Sequence, residues 1–143
     1  MICLINKTEI DVRYQETDQM GVVYHANYLV WFEIGRTKFI EQLGFKYAEL
    51  EKENVVSPVT DLQISYKRPA RYGDKVYIET SLKLYDGLRT IYAYKIFNEE
   101  NKLLVEGNST HVVVKKDKFR PVRLKQINSE WDLAYRKVLN GEM

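Results

Sequence analysis

The segment from Asn27 to Leu43 is predicted to be a helix that is apolar on nearly every side, and it constrains the fold more than any other part of the chain. Some of its large apolar side chains follow helical spacing, and others fill the remaining faces of the first turns. Together these side chains are Tyr28, Leu29, Val30, Trp31, Phe32, Ile34, Phe39, Ile40 and Leu43. Because such a helix has almost no face suited to water, other elements must surround it.

Three single residues refine this helix. Asn27 is a suitable N-cap, and Gly44 follows Leu43 as a suitable left-handed C-cap. Gly35 lies in the middle, where glycine costs about 1 kcal/mol relative to alanine. We therefore expect another element to pack closely against the backbone at Gly35.

Alternating apolar and polar residues predict the strands that surround the helix. One strand precedes it, with Ile10, Val12 and Tyr14 on its buried face. Four strands follow it, at about residues 61–67, 76–84, 89–97 and 103–115. Asp86-Gly87 is a strong two-residue hairpin signal. The last three strands are therefore expected to form an antiparallel meander.

Shorter helical patterns follow residue 46 and end the chain. Residues 47–52 are predicted to form a turn or two of helix, and a capping-box-like start at Ser129 opens an amphipathic C-terminal helix. The predicted architecture is α+β, with a curved antiparallel sheet wrapped around the central helix and the C-terminal helix on its surface. We expect residues 1–143 to form one domain whose two open sheet edges favour pairing between subunits.

Composition limits the setting and the partners. The formal charge is only +2, from 22 basic and 20 acidic residues, so no nucleic-acid partner is indicated. Cys3 is the single cysteine, is expected to be inert, and belongs to no set of zinc-ligand spacing. No apolar run approaches the roughly 20 residues that span a bilayer, and the first residues are too short for a signal peptide. A soluble protein in the cytoplasm is predicted, with no membrane insertion.

The stretch before the central helix is where we expect chemistry. Asp18 and His25 lie on the loop side of the helix start, although each has a simpler interpretation. Asp18, three residues before Gly21, fits a turn cap, and a histidine at a helix entrance is often a structural hydrogen-bonding group. Glu16 is interpreted as a solvated charge, and His111, within an alternating run, as a packed or interfacial strand histidine.

The same stretch resembles a known family. About a dozen positions in a window of 23 residues carry the resemblance, as Tyr14-x-Glu16-Thr17-Asp18-x-x-Gly21-x-Val23-Tyr24-His25-x-Asn27-Tyr28 and Trp31-Phe32-Glu33-x-x-Arg36. Ser57-Pro58 and Tyr66-x-x-Pro69-Ala70 also fit. The pattern is similar to the hotdog-fold acyl-CoA thioesterases of the 4-hydroxybenzoyl-CoA thioesterase type, and most closely to their YbgC branch.

The resemblance implies a thioester hydrolase with Asp18 as its catalytic carboxylate and without a metal or a cofactor, since coenzyme A is part of the substrate. Asp18 would act as nucleophile or as general base, and the start of the helix offers unpaired N–H groups for the oxyanion. The backbone N–H of His25 would contact the thioester carbonyl, while its ring assists and Tyr14 supports the site. Arg89 would contact the coenzyme A phosphates.

The resemblance also limits the partners and the alternatives. An acyl-CoA is the expected substrate, acyl carrier protein is a possible partner, and a homodimer or homotetramer is expected. The alternative function is a hotdog scaffold that binds acyl-CoA or acyl carrier protein near the membrane with little hydrolysis. A hotdog dehydratase is disfavoured because no dehydratase-like motif is present. The acyl group itself stays open: short aliphatic, aromatic and long-chain groups are all compatible with the sequence.

Overall fold

The computed structural model describes residues 4–142, so Cys3 lies outside the described residues. Its elements are β1 (Ile5–Asp11), α1 (Asn27–Gln42), α2 (Tyr47–Lys52), β2 (Val55–Val56), β3 (Val59–Tyr66), β4 (Lys75–Tyr85), β5 (Arg89–Asn98), β6 (Leu103–Val112), β7 (Val114–Lys115), α3 (Leu124–Ile127) and α4 (Ser129–Leu139).

A five-stranded antiparallel sheet has the strand order β1-β4-β5-β6-β3. Strands β4, β5 and β6 form the predicted meander, and Tyr85 pairs with Thr90 across the first hairpin. Gly87 has a φ of +94° in this hairpin, which glycine adopts without strain. Strands β1 and β3 are the two edges of this sheet, and β2 pairs separately with β7. The predicted antiparallel sheet with two open edges is confirmed.

Helix α1 packs across one face of the sheet and supplies the centre of the core. Trp31 and Phe39 have no exposed surface, and the Phe32 ring stacks on Tyr94 with centroids 4.2 Å apart. The prediction that the helix is surrounded on nearly every side holds only in part, because Val30 is 41% exposed. The sheet of a single chain covers the β1 and β4 side of α1 and leaves an open stripe that also contains Glu33 and Thr37.

The close approach predicted at Gly35 is confirmed. A Cβ atom at Gly35 would collide with Thr80 Oγ1 and would lie 3.0 Å from Ile78 Cδ1. Gly44 has a φ of +94° immediately after the helix, as the C-cap prediction requires. Strand β4 therefore contacts α1 at a position where only a hydrogen fits on the helix.

Two predicted helix caps are wrong, and a neighbouring residue takes each role. Helix α1 begins at Asn27 with Ala26 as its N-cap, because the Asn27 side chain donates to the Glu16 carbonyl oxygen instead. Helix α4 begins at Ser129, but Asn128 is the N-cap and accepts a hydrogen bond from the Trp131 N–H at 3.0 Å.

The predicted position of Tyr14 on a buried strand face is also wrong. Strand β1 ends at Asp11, and residues 14–16 form a single 3-10 turn. The turn forms because the Arg13 N–H donates to Glu16 Oε1 at 2.8 Å, which reverses the chain before Tyr14 can continue the strand. The Tyr14 side chain is 75% exposed.

Within residues 4–142, no helix has the length and apolar character needed to cross a membrane. The same residues contain no cluster of histidine, cysteine, aspartate and glutamate side chains suited to a metal ion.

Candidate active site

Asp18 lies in a tight loop that is closed by its own backbone. The Asp18 N–H donates to the Val22 carbonyl at 2.9 Å, and Thr17 bridges to Val23. Asp18 Oδ1 accepts a hydrogen bond from the Met20 N–H at 2.8 Å. The turn-capping interpretation of Asp18 is therefore confirmed, but it occupies only one oxygen. Among the described residues, no donor contacts Oδ2, so this oxygen is available for chemistry.

Glu16 anchors this loop to the core, so its interpretation as a solvated charge is wrong. Its side chain is 4% exposed and accepts hydrogen bonds from the Arg13 N–H at 2.8 Å and from Trp31 Nε1 at 2.9 Å. Burial acts to raise the pKa of Glu16, but the hydrogen bonds from Arg13 and Trp31 outweigh it and hold the pKa below its usual value. The ionised carboxylate thus joins the loop to helix α1.

The Glu16 carbonyl oxygen also ties the loop to the helix start. It accepts from the Tyr24 N–H at 2.9 Å and from Asn27 Nδ2 at 2.8 Å. Within residues 4–142, the backbone N–H groups of His25 and Ala26 donate to no acceptor. These unpaired N–H groups lie at the positive end of α1, where an anionic oxygen is stabilised.

The His25 backbone is fixed while its ring stays open to solvent. The Tyr66 hydroxyl donates to the His25 carbonyl oxygen at 3.0 Å. The exposed imidazole contacts the Tyr24 ring, with centroids 4.4 Å apart, and faces the edge of the Tyr66 ring. Tyr66 belongs to the Tyr66-x-x-Pro69-Ala70 motif of the sequence, yet its contact with His25 could not be inferred from the chain order.

Asp18 and His25 are held at one end of the sheet. The Val23 N–H donates to the Ala70 carbonyl, and the Ala70 N–H donates to the Tyr28 hydroxyl at 3.0 Å. Val23 and Tyr28, on either side of the His25 segment, therefore both hydrogen-bond to Ala70, which lies in the connection that leads into β4. The Asp18 loop and the helix start at His25 are thus joined through hydrogen bonds to the same connection, and their shared role in catalysis stays a prediction.

Tyr14 lies beside the Asp18 loop on the surface. Its ring packs edge-on against Tyr72 with centroids 5.6 Å apart, and both rings border a shallow depression that includes Asp18 and Gly21. No residue between 4 and 142 shares a hydrogen bond with the Tyr14 hydroxyl. Its supporting role in the site stays a prediction.

Arg89 lies at the opposite end of the sheet from Asp18. It begins β5, and strand β4 beside it spans eleven residues between the two ends, a length of about 36 Å. Two further guanidinium groups converge on this turn: a Cβ atom at Gly87 would lie 3.0 Å from Arg136 Nη2 and 3.3 Å from Arg123 Nη1. One chain therefore does not bring Arg89 to the Asp18 loop.

His111 is a packed strand histidine, as predicted. It is 3% exposed on β6, and its Nε2 and Nδ1 atoms share hydrogen bonds with Ser109 Oγ at 2.8 Å and the Ser57 carbonyl at 3.2 Å. Burial, followed by the positive charge of Arg36, lowers the pKa of His111 to about 4. The ring is therefore neutral at pH 7.

The lowered pKa of His111 predicts a loss of stability in mild acid. In the unfolded chain the His111 side chain has a pKa of about 6.5 and binds a proton below that pH, while in the folded chain it stays neutral. The free energy of unfolding should therefore fall by about 2 kcal/mol between pH 6.5 and about pH 4.5. Urea unfolding at several pH values measures this slope. His111→Gln should flatten it over the same range; an equal slope in both proteins would contradict the assignment.

Comparisons with known proteins identify the family of the chain. The chain is 47% identical to YneP of Bacillus subtilis over 93% of this chain and 96% of that protein. It is 34% identical to the acyl-CoA thioester hydrolase YbgC of Escherichia coli over 78% of this chain and 84% of that protein. The crystal structure of a DHNA-CoA thioesterase from Staphylococcus aureus superposes with a TM-score of 0.93 at 46% identity, covering 96% of this chain and 94% of that one.

These matches define the protein as a hotdog-fold thioesterase, an enzyme of the thioester hydrolase class. The chain belongs to the thioesterase-like superfamily, whose family model matches residues 12–131. The resemblance to the YbgC branch that the sequence motif indicated is thereby confirmed.

Proposed function

We propose that the chain hydrolyses an acyl-CoA thioester to a free acid and coenzyme A, with Asp18 as the reacting carboxylate. One observation carries this proposal: a carboxylate oxygen of Asp18 without a hydrogen bond from the described residues lies in a loop bound to the helix start where the N–H groups of His25 and Ala26 are unpaired. Attacking oxygen and oxyanion donors are the two parts that thioester hydrolysis requires.

In this mechanism the thioester carbonyl oxygen accepts hydrogen bonds from the helix start. Asp18 Oδ2 then bonds to the carbonyl carbon, the carbon–sulfur bond breaks, and coenzyme A leaves as a thiolate that takes a proton from solvent. Water hydrolyses the resulting mixed anhydride and restores Asp18. In the alternative route, Asp18 removes a proton from water, and the hydroxide attacks the carbonyl carbon directly. Both routes need the same carboxylate and the same oxyanion donors.

An aromatic acyl group is the substrate class that we place first. The Staphylococcus aureus neighbour, which is 46% identical, is a DHNA-CoA thioesterase by its title. A fused aromatic ring is also consistent with the tyrosine-rich composition, which includes eleven tyrosines. The relative YbgC is an acyl-CoA thioester hydrolase in a broader sense, so short and long aliphatic thioesters belong in the same test.

Pairing of two chains through β3 would complete the site. This edge strand exposes Val59, Leu62 and Tyr66 by 40% to 47%, and Val30 of the open α1 stripe is also exposed. Antiparallel pairing of two β3 edges would place the Arg89 end of the partner subunit on the same side as His25. An Arg89 contact with coenzyme A therefore requires a second subunit. A solution mass of one chain would contradict the pairing, and a mass of two or four chains distinguishes dimer from tetramer.

A panel of thioesters tests the function. Release of free thiol should be measured with acetyl-CoA, decanoyl-CoA, 2-naphthoyl-CoA, 1,4-dihydroxy-2-naphthoyl-CoA and an acyl carrier protein thioester. Turnover of at least one acyl-CoA with kcat/KM above about 10⁴ M⁻¹s⁻¹ is expected of an enzyme working on its own substrate. Tight binding of coenzyme A thioesters or of acyl carrier protein without appreciable turnover would favour the scaffold function instead.

A further inference from the structure

A cavity of about 230 Å³ lies between the middle of α1, helices α2 and α4, and strands β5 and β6. It is separate from the Asp18 loop, and six of the residues that border it are Arg36, Thr37, Tyr47, Tyr92, His111 and Tyr135. The volume corresponds to about eight water molecules at the density of the liquid. This space is large enough for a planar group of one or two rings, and none of the hydrolytic steps above uses it.

Arg36 is a positive charge at this cavity without a counter-ion among the described residues. Its side chain is half-buried, and no carboxylate among residues 4–142 forms an ion pair with it. Glu33 borders the same cavity, but it is exposed and forms no such pair. A guanidinium that is partly removed from water gains most from a negative or strongly accepting oxygen.

The other titratable groups at the cavity do not supply that charge at neutral pH. Burial lowers the pKa of His111 to about 4, so its ring is neutral. Burial also raises the pKa of Tyr135 to about 12 and the pKa of Tyr92 well above its usual value, so both hydroxyls stay protonated. These two hydroxyls share a hydrogen bond of 2.6 Å with each other. The Tyr94 hydroxyl is a neutral hydrogen-bond partner of Arg36, so what the described residues lack is a negatively charged partner for its guanidinium.

The walls of the cavity define the rest of the ligand. Trp131 and Leu124 join the tyrosine rings along its apolar side. Aromatic walls favour a planar aromatic guest, and the planar fork of a guanidinium suits a ring oxygen or a carboxylate. We propose that this cavity is a recognition site for an aromatic acyl group, with Arg36 as the specificity-determining residue that binds an oxygen on the ring far from the thioester.

This inference rests on the proposed thioesterase function and on pairing through β3. Arg36 is nine positions after Asn27 along α1, a distance of about 14 Å, so the cavity is remote from the helix start of its own chain. Strand β3 begins two residues after Ser57, which borders the cavity, and ends at Tyr66, which contacts His25. Antiparallel pairing of two β3 edges would thus place the cavity of one subunit next to the His25 of the other.

Binding of stable substrate analogues tests the inference without turnover. The probes are two coenzyme A thioethers, in which a methylene between the carbonyl and the sulfur prevents hydrolysis. One carries a 1,4-dihydroxy-2-naphthyl group and the other a 2-naphthyl group. Calorimetry of the wild-type protein should show at least about a tenfold preference for the hydroxylated probe, as one hydrogen bond to a charged group provides. Arg36→Leu should abolish this preference.

Two further variants control the experiment. Lys38→Leu removes an exposed positive charge from α1 that does not border the cavity, and it should keep the full preference. Thr37→Trp fills the cavity from an exposed position and leaves Arg36 in place, so it remains informative if Arg36→Leu fails to fold. It should weaken both naphthyl probes at least about tenfold, since aromatic contacts and area burial are lost, while an acetonyl thioether of coenzyme A still binds.

The outcomes separate this inference from the proposed function. Equal binding of both naphthyl probes by the wild-type protein would overturn the inference, as would a preference that survives in Arg36→Leu. In either case a carboxylate of the partner subunit becomes the explanation for the unpaired charge. A protein that shows the predicted preferences but releases no thiol from any acyl-CoA would contradict only the proposed function.

Discussion

Replacing Asp18 with asparagine should lower kcat for thioester hydrolysis by at least about a hundredfold, the usual contribution of a group that performs acid–base or nucleophilic chemistry. Asparagine has the same shape and keeps an oxygen for the hydrogen bond from the Met20 N–H at 2.8 Å, so the loop should keep its conformation. The rate is measured as thiol release from the best substrate of the panel. Affinity for the stable thioether analogue and the unfolding midpoint should both stay near the wild-type values.

A surface aspartate provides the matched control for this change. The Asp117 side chain also accepts a hydrogen bond from a nearby backbone N–H, that of Lys118 at 2.8 Å, and it is exposed. Asp117→Asn should therefore retain the full rate. If Asp18→Asn also retained it, the carboxylate would be excluded from the reaction, and Asp18 would be left with only its turn-capping role.

The overall architecture was predictable because it depends on periodicity. The repeats of 3.6 residues in α1 and of two residues in β4, β5 and β6 extend over enough positions to determine which side of each element faces the core. The close approach at Gly35 followed from the cost of glycine within a helix. These features depend on residues that are close together in the sequence, so they could be predicted without knowing which elements pack against them.

The errors occur where a local signal competes with a distant partner. Glutamate is a residue type that usually lies on the surface, but Trp31, fifteen residues after Glu16, supplies the hydrogen bond that makes the burial of Glu16 favourable. Asparagine is a suitable residue type for an N-cap, yet the Asn27 side-chain amide donates a hydrogen bond to the Glu16 carbonyl oxygen instead. Neither partner can be assigned until the loop and the helix are brought together. An acidic residue three positions after Arg13 was the available signal for the turn.

The candidate site divides in the same way. Asp18 and the His25 backbone could be proposed from the sequence because a contiguous motif carries both. The cavity at Arg36 was not, because its walls come from α1, β5, β6 and α4, which lie far apart along the chain. A half-buried charge without a counter-ion is a property of the folded surroundings, and sequence patterns record only that an arginine lies on the helix.

Gly35→Ala should destabilise the protein even though alanine is the better helix former. The substitution gains about 1 kcal/mol of helix propensity, but the new methyl group would collide with Thr80 Oγ1 and lie 3.0 Å from Ile78 Cδ1. Overpacking of this kind costs about 1–3 kcal/mol, and Thr80 is fully buried, so neither side can move easily. Urea unfolding should show a net loss of up to about 2 kcal/mol once the two effects are combined.

A double-mutant cycle identifies Thr80 as the cause of this loss. Thr80 Oγ1 is buried without a hydrogen-bond partner among the described residues, so Thr80→Ala removes the colliding atom without breaking a hydrogen bond. In the Thr80→Ala background, Gly35→Ala should become neutral or stabilising, with a coupling free energy of about 1–2 kcal/mol between the two sites. Additive effects would mean that α1 shifts away from β4 instead. In that case the fixed contact between helix and sheet would not be what requires glycine at position 35.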